Sequence, residues 1–170
     1  MWTQPTIHVW ENIAGSRGDE FRVNLLLNRA SACADVYSFL PYEGRVNVKM
    51  ERPCRRVLVR VPERWVERGS PHVVCRVNSS PRELAWEGRY VNLGPTKRDE
   101  TVDVTFPITT RTVKETLGTV RYTLEMRGNT VVAVDPPGKY GALYERAHYK
   151  RDQVSWRKAQ RFVPEEPLSW

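Results

Sequence analysis

The sequence predicts an all-β protein: an antiparallel two-sheet β-sandwich of jelly-roll-like type, with a short N-terminal helical or irregular segment and a basic C-terminal arm. Short segments alternate apolar and polar residues, most regularly at Val102, Val104 and Phe106. Turn residues separate such segments at intervals of about 8–12 residues, which favours a sandwich over a helical or parallel fold. The 170 residues are enough for one domain with a substantial core.

The elements follow in chain order. Residues 2–13 have mixed character, with Ile7 and Trp10 on one face of a short helix, and residues 15–19 are a loop. The extended segments are 21–27, 34–40, 45–51, 56–61, 73–77, 89–93, 101–106, 111–117, 119–126 and 130–134. The last two form a hairpin, because Gly128 and Asn129 between them tolerate a tight turn. Polar turns are predicted at 78–81 and 94–99, and Asp135 to Gly138 ends the sheet.

The charge pattern leaves two interpretations open. Lysine and arginine number 27 against 20 acidic residues, a net charge of +7, which suggests nucleic acid or an anionic surface as a partner. Many basic residues alternate with apolar ones, as on the solvated face of a sheet, and this is the favoured interpretation. The densest basic stretch, 148–161, is the place for an exception. No apolar run approaches the roughly 20 residues that span a bilayer, so no membrane partner is expected.

The cysteines and histidines predict no metal site. Cys33, Cys54 and Cys75 contain no Cys-x-x-Cys pair, and the three histidines lie far apart. The expectation is three buried or half-buried thiols in a reducing compartment. Residues 1–11 lack a basic region followed by an apolar stretch, so no signal peptide is predicted. The default localisation is therefore the cytoplasm, and the compartment of any parent protein is left open.

Aromatic residues near loops are the best candidates for ligand contact. The chain contains no glycine-rich phosphate loop, Gly-x-Ser-x-Gly, His-Glu-x-x-His or calcium loop, and no catalytic residue is predicted. Loop aromatics stack on the apolar faces of sugar rings, although packing in a core or interface is the commoner use. The candidate sugar-contacting residues are Trp65, Trp86, Glu87, Tyr90, Tyr42 and Glu43.

Several motifs also carry a family resemblance by their order. They are residues 9–13 (VWENI), 22–31 (RVNLLLNRAS) and 41–46 (PYEGRV), with later matches at 60–62, 65, 77–78, 90–91, 106–107 and 127–132. Together they resemble the end of the catalytic barrel and the C-terminal β-domain of glycoside hydrolase family 127, the β-L-arabinofuranosidase-like enzymes. The likeness covers most of the chain.

The resemblance implies an upstream (α/α) barrel that carries a zinc-bound cysteine nucleophile and a glutamate. This chain is too short for that barrel, and Cys33 lies in a different context, so no catalytic residue and no cofactor are expected here. The resemblance divides the chain into a remnant of the barrel or a linker (1–18), the sandwich (19–144) and an arm packed on its outside (145–170). If the barrel is missing, an exposed apolar patch is expected at Leu25, Leu26, Leu27 and Trp10.

Three functional hypotheses follow, because the fold does not choose between them. The first is a non-catalytic accessory domain, whose partner is the missing barrel or a second copy of the chain. The second is a stand-alone carbohydrate-binding module using Trp65, Trp86 and Tyr90. The third, least favoured, is nucleic-acid binding through the basic 148–161 arm.

Overall fold

The computed structural model describes residues 4–62, 70–137, 160, 161 and 163. Within them the chain forms one helix and thirteen strands: α1 (Gln4–Asn12), β1 (Ala14–Arg17), β2 (Glu20–Val23), β3 (Ala34–Ser38), β4 (Arg45–Met50), β5 (Arg56–Arg60), β6 (Val74–Val77), β7 (Ser80–Arg82), β8 (Ala85–Glu87), β9 (Tyr90–Asn92), β10 (Thr101–Thr105), β11 (Thr110–Leu117), β12 (Val120–Arg127) and β13 (Thr130–Asp135). No helix in these ranges is long and apolar enough to cross a membrane.

The strands form a two-sheet sandwich with a smaller third sheet. The first sheet has the order β1-β2-β5-β9-β8, the second has the order β3-β4-β10-β6-β7, and the third has the order β11-β12-β13. The predicted all-β sandwich is confirmed. The separate third sheet, called the ribbon below, was not predicted.

Alternation in the sequence builds the core between the two five-stranded sheets. Val46, Val48 and Met50 of β4 are fully buried, as are Val104 and Val102 of β10, which lie opposite Val46 and Val48. Their polar neighbours along each strand point away from the core. Burying one such side chain contributes about 1.5–3 kcal/mol, so this shared apolar face is the main source of the fold's stability.

One strand pair departs from the predicted antiparallel arrangement. β2 and β5 run parallel, with Phe21 opposite Val57 and Val23 opposite Val59. Between them the chain crosses to the second sheet and forms β3 and β4 there. A parallel pair needs such a long crossover connection, whereas a short hairpin would give an antiparallel pair.

The predicted strand 21–27 ends early, at Val23. The carbonyl oxygen of Ile13 accepts hydrogen bonds from the backbone N–H groups of Asn24, at 2.9 Å, and Leu25, at 3.1 Å. These bonds tie the chain to the end of α1 and draw it away from β5. Local alternation could not reveal this competing contact.

Two predicted turns are shorter than expected. Of the predicted loop at residues 15–19, the first three residues belong to β1, and only Gly18, at a positive φ of 59°, and Asp19 form the turn to β2. Asn78 and Ser79 both have positive φ, 48° and 69°, and make a two-residue turn of the kind that hairpins favour. β7 therefore begins at Ser80, inside the predicted 78–81 turn.

The predicted arm, 145–170, lies mostly outside the described residues. At the described Arg161, the guanidinium Nε lies 2.8 Å from Asp35 Oδ2 on the outer side of β3, and Nη2 donates to the Ser31 carbonyl oxygen at 2.8 Å. Asp35 is itself buried. The course of the remaining arm, and the three domain boundaries, stay predictions.

Candidate functional site

Strands β8 and β9 separate the predicted sugar-contacting residues onto two faces. Glu87 lies directly opposite Tyr90, and Trp86 lies opposite the fully buried Val91. Because successive side chains of a strand point to opposite faces, Glu87 and Tyr90 share the outer face whereas Trp86 faces inward. Trp86 is half-buried and packs against the core. The structure thus unites Glu87 with Tyr90 and separates Trp86 from them.

The polar atoms of Glu87 and Tyr90 are bonded within the chain. Glu87 forms an ion pair with Arg56 and accepts a hydrogen bond from the Asn92 amide. The Tyr90 hydroxyl donates to Asn24 Oδ1 at 2.8 Å, and the Arg22 guanidinium carbon lies 5.7 Å from the centre of the Tyr90 ring. A sugar at this face would therefore have to compete with existing contacts.

A carboxylate links these contacts into one network on the outer face. Glu20 pairs with Arg22 and, at 2.8 Å, with Arg56. The hydrogen bond from Arg22 holds the pKa of Glu20 below its ordinary value, against a smaller opposing effect of desolvation. Both carboxylates of this network, Glu20 and Glu87, are therefore placed as ion-pair partners.

The other two candidates lie in the turn before β4. The backbone N–H groups of Tyr42 and Glu43 both donate to the Phe39 carbonyl oxygen, at 3.0 Å. Glu43 Oε2 lies 3.8 Å from Arg45 Nη1, and the Tyr42 carbonyl oxygen accepts from Arg127 Nη2 at 2.9 Å. Through the hydrogen bond from Arg127, this turn of the sandwich contacts the ribbon. The sixth candidate, Trp65, lies outside the described residues.

A groove of about 930 Å³ between the sandwich and the ribbon was not predicted. The lining residues come from five separate parts of the chain: Asn24, Leu25, Leu26, Leu27, Asn28, Ser38, Leu40, Pro41, Arg60, Pro62, Arg111, Met126, Arg127, Asn129 and Thr130. Most of the lining lies within the motifs that carry the family resemblance, at 22–31, 41–46, 60–62 and 127–132, but no surface was predicted from them. Because these segments are distant in sequence, local pattern does not show that they meet.

The groove has the chemistry of a binding surface. Leucine, proline and methionine side chains supply its apolar area, and Arg60, Arg111 and Arg127 place three cations around it. Its described lining contains no Asp, Glu, His or Cys, so it lacks the side chains that usually act as general acid or base. No group of three or more His, Cys, Asp or Glu in the described ranges is arranged to hold a metal ion.

The groove's first segment is anchored to the end of α1. Arg29 Nη1 donates hydrogen bonds to the carbonyl oxygens of Trp10 and, at 2.7 Å, of Glu11. This is a favourable position for a cation, because helix C-termini carry partial negative charge. Its guanidinium carbon also lies 5.5 Å from the centre of the Trp10 ring. Desolvation lowers the pKa of Arg29, with Glu11 acting in the opposite direction.

The predicted apolar patch is present in part. Trp10 is 37% exposed and Leu27 is 48% exposed, and Val9, the residue before Trp10 in α1, is also exposed. Leu25 and Leu26 are partly buried and pack against the core. An apolar surface therefore exists at α1 and the adjoining loop, but two of its four expected members help to hold the sandwich together.

Comparison with known proteins gives a likeness of fold. No family model matches the sequence, and no curated protein matches it. The structure is similar to part of a glycoside hydrolase family 127 β-arabinofuranosidase, with a TM-score of 0.52 and 18% identity, over 70% of this chain and 23% of that chain. A family 127 β-L-arabinofuranosidase from Geobacillus stearothermophilus T6 gives a TM-score of 0.49 and 15% identity, over 70% and 21% of the two chains.

The chain therefore spans less than a quarter of the first enzyme's length. Identity at this level bears on the fold alone. Within that limit, the resemblance predicted from the ordered motifs is confirmed: this β-sandwich has the fold of a part of a family 127 enzyme.

Proposed function

We propose that this chain is a non-catalytic β-sandwich domain that works beside a larger catalytic domain of glycoside hydrolase family 127 type. The observation that carries the proposal is the unequal coverage of the fold match, 70% of this chain against 23% of the enzyme. Most of such an enzyme has no counterpart here. Zinc and the nucleophilic cysteine, which the resemblance assigns to the barrel, would then belong to the partner.

The proposed docking surface is the apolar end formed by α1 and the loop after β2. The large apolar residues exposed at this end are Val9, Trp10 and Leu27. The end of α1 is held in place by hydrogen bonds from Arg29. Fixed, exposed apolar side chains suit a protein partner, since little conformational freedom is lost on binding. A second copy of this chain is the alternative occupant.

Co-expression tests the proposal. The catalytic partner is sought as a reading frame that encodes a helical barrel in the DNA beside this gene. The two chains are then purified together, and the molar mass of the product is measured by light scattering. We expect a stable complex that the double variant Trp10→Asp, Leu27→Asp abolishes. Leu117→Asp is the matched control, because Leu117 is 69% exposed at the far turn of the ribbon. Arabinofuranosidase activity at enzyme-like rates in the isolated chain would overturn the proposal, and a homodimer broken by the double variant would assign the surface to subunit contact.

A second candidate function is carbohydrate binding, which the groove favours. It combines apolar surface with amides and guanidinium groups, the usual partners of sugar rings and hydroxyls. Calorimetric titration with an oligosaccharide panel tests it. Binding lost in Arg60→Met but kept in Tyr90→Phe would place the sugar in the groove, and the opposite result would place it on the outer face of β9. Absence of binding across the panel removes this candidate.

Nucleic-acid binding by the 148–161 arm stays a prediction, since that stretch lies almost wholly outside the described residues. Its signature would be an affinity that falls steeply as salt rises, because cations released from the phosphates drive such binding. Salt-insensitive binding, or none, would remove it.

A further inference from the structure

Two buried cysteines lie in direct contact at one end of the sandwich. The sulfur atoms of Cys33 and Cys54 are 3.3 Å apart, and both residues are buried. Cys33 immediately precedes β3 of the second sheet, and Cys54 lies two residues before β5 of the first. The contact therefore joins the two sheets of the sandwich.

The backbone holds both cysteines in this position. The Cys33 carbonyl oxygen accepts hydrogen bonds from the N–H groups of Glu51, at 2.9 Å, and Arg52, at 3.3 Å. Cys54 exchanges two backbone hydrogen bonds with Thr96, at 3.1 and 2.8 Å. A disulfide requires an S–S distance of about 2.0 Å, so the sulfurs need to approach by roughly 1.3 Å.

The two sulfur atoms have unequal surroundings. Arg52 Nε donates a hydrogen bond to Cys33 Sγ at 3.1 Å, so a permanent cation faces that sulfur. Desolvation, with the neighbouring Cys33 as a further cause and Arg52 as a smaller opposing one, raises the pKa of Cys54 to about 12. The pair therefore contains one sulfur beside a charged donor and one that favours the protonated state.

We propose that Cys33 and Cys54 are an oxidisable dithiol, and that exchange with a small disulfide such as oxidised glutathione converts them into a disulfide that joins the two sheets. The Cys33 thiolate attacks one glutathione sulfur and releases one glutathione thiolate. Cys54 loses its proton, attacks the Cys33 sulfur of the mixed disulfide and releases the second glutathione. In total the protein loses two electrons and two protons, and one glutathione disulfide becomes two thiols.

Cys75 provides an internal comparison. It is buried in β6, opposite Val104 of β10, and no other sulfur contacts it in the described part of the chain. Burial raises its pKa to about 11. A buried thiol without a neighbouring sulfur should not form an intramolecular disulfide, so Cys75 should stay reduced under conditions that join the pair. The inference goes beyond the expectation of three buried or half-buried thiols in a reducing compartment and does not depend on the proposed function.

Refolding of the full chain in a glutathione redox buffer tests the proposal, because equilibrium is then reached despite burial. After free thiols are alkylated, mass spectrometry of peptides should find Cys33 joined to Cys54 and Cys75 alkylated. The oxidised chain should melt several degrees higher than the reduced one, since the bond closes a loop of 21 positions, and dithiothreitol should reverse the shift. Cys75→Ala should behave like the parent chain.

Two variants examine the individual steps. Cys54→Ala should stop after the first exchange and hold one glutathione on Cys33. Arg52→Met should slow oxidation of the native chain by at least several-fold while leaving the final Cys33–Cys54 link intact. Failure to recover the Cys33–Cys54 peptide in oxidising buffer, or recovery of links to Cys75 in equal amount, would overturn the proposal.

Discussion

The sandwich and the ribbon differ in how completely their apolar residues are covered. In the sandwich, Val48 and Val102 are 0% exposed and face each other in register. In the ribbon, Leu117 is 69% exposed and Val120 is 40% exposed, although they too are paired. Both regions show clear strand pairing. The difference teaches that alternation specifies a strand and its register, while only a second surface converts the apolar face into a core.

The ribbon depends more on its backbone ladder. β11 and β12 pair over eight residues each, from Thr110 opposite Arg127 to Leu117 opposite Val120. A hairpin of this kind is marginally stable alone, and cross-strand pairs add only about 0.2–1 kcal/mol each. The hydrogen bond from Arg127 to the Tyr42 carbonyl oxygen ties it to the sandwich across the groove. The ribbon should therefore contribute less to global stability.

Removal of a core aromatic side chain should give the largest effect. Phe21 is 0% exposed between the sheets, and Phe21→Ala should lower the free energy of unfolding by about 3–5 kcal/mol through lost burial and a cavity. Urea denaturation measures this change. Val113→Ala in the ribbon is the control, and it should cost less than about 1 kcal/mol because Val113 is only half-buried. Equal costs would contradict the comparison.

A close backbone approach in the sandwich should give the next largest effect. The Gly44 carbonyl oxygen accepts a hydrogen bond from Phe106 N at 2.7 Å, and a methyl group at Gly44 would overlap the Phe106 carbonyl oxygen. Gly44→Ala should therefore destabilise the chain by about 3 kcal/mol, the upper part of the range for overpacking.

Gly118→Ala in the ribbon turn is the matched control for Gly44→Ala. Gly118 has open space around its Cα and a φ of +63°, so the cost there is only that of a left-handed residue, about 1–2 kcal/mol. Thermal unfolding of both variants measures the difference. A larger loss at Gly118 would show that turn strain outweighs backbone contact in this protein.

The sequence predicted the part of the molecule that follows from local pattern. The strands around Val46 and Val102, and the ribbon hairpin around Gly128, lie within a residue or two of their expected bounds. Departures arose where a distant contact decides the outcome. One is the end of β2, where the Ile13 carbonyl oxygen accepts a hydrogen bond from the backbone N–H of Asn24. Another is the parallel pairing with β5, which depends on the route of the chain through the second sheet.

The candidate surfaces were harder to predict for the same reason. Spacing alone suggested that Trp86 and Tyr90 act together, but strand pairing puts them on opposite faces. The groove joins the loop at Leu27 to Met126 and Arg60, three segments with no local signal in common. Local pattern identifies strands, whereas a site assembled from several strands depends on their order in the sheets.

A buried thiol gives the stability of the sandwich a dependence on pH. Burial raises the pKa of Cys75 from 9.0 to about 11, so its neutral form is favoured in the folded state. This contribution to stability is fully present below about pH 9 and is lost as pH rises towards 11. The loss in the free energy of unfolding amounts to about 1 kcal/mol by pH 10. Cys75→Val should flatten this part of the stability curve. Identical curves for parent and variant from pH 8 to 11 would contradict the assignment.

The smallest effect is expected at the exposed end of the ribbon. Leu117 and Val120 are opposite each other beside Gly118, and both project into solvent. Leu117→Ser removes little buried area, so the free energy of unfolding should change by no more than about 0.5 kcal/mol. A loss above 1 kcal/mol in the monomer would show that a surface within the chain covers this end. The contrast between the covered sheets of the sandwich and the uncovered end of the ribbon would then reduce to a difference of degree, because that end would owe its stability to burial as the sandwich does.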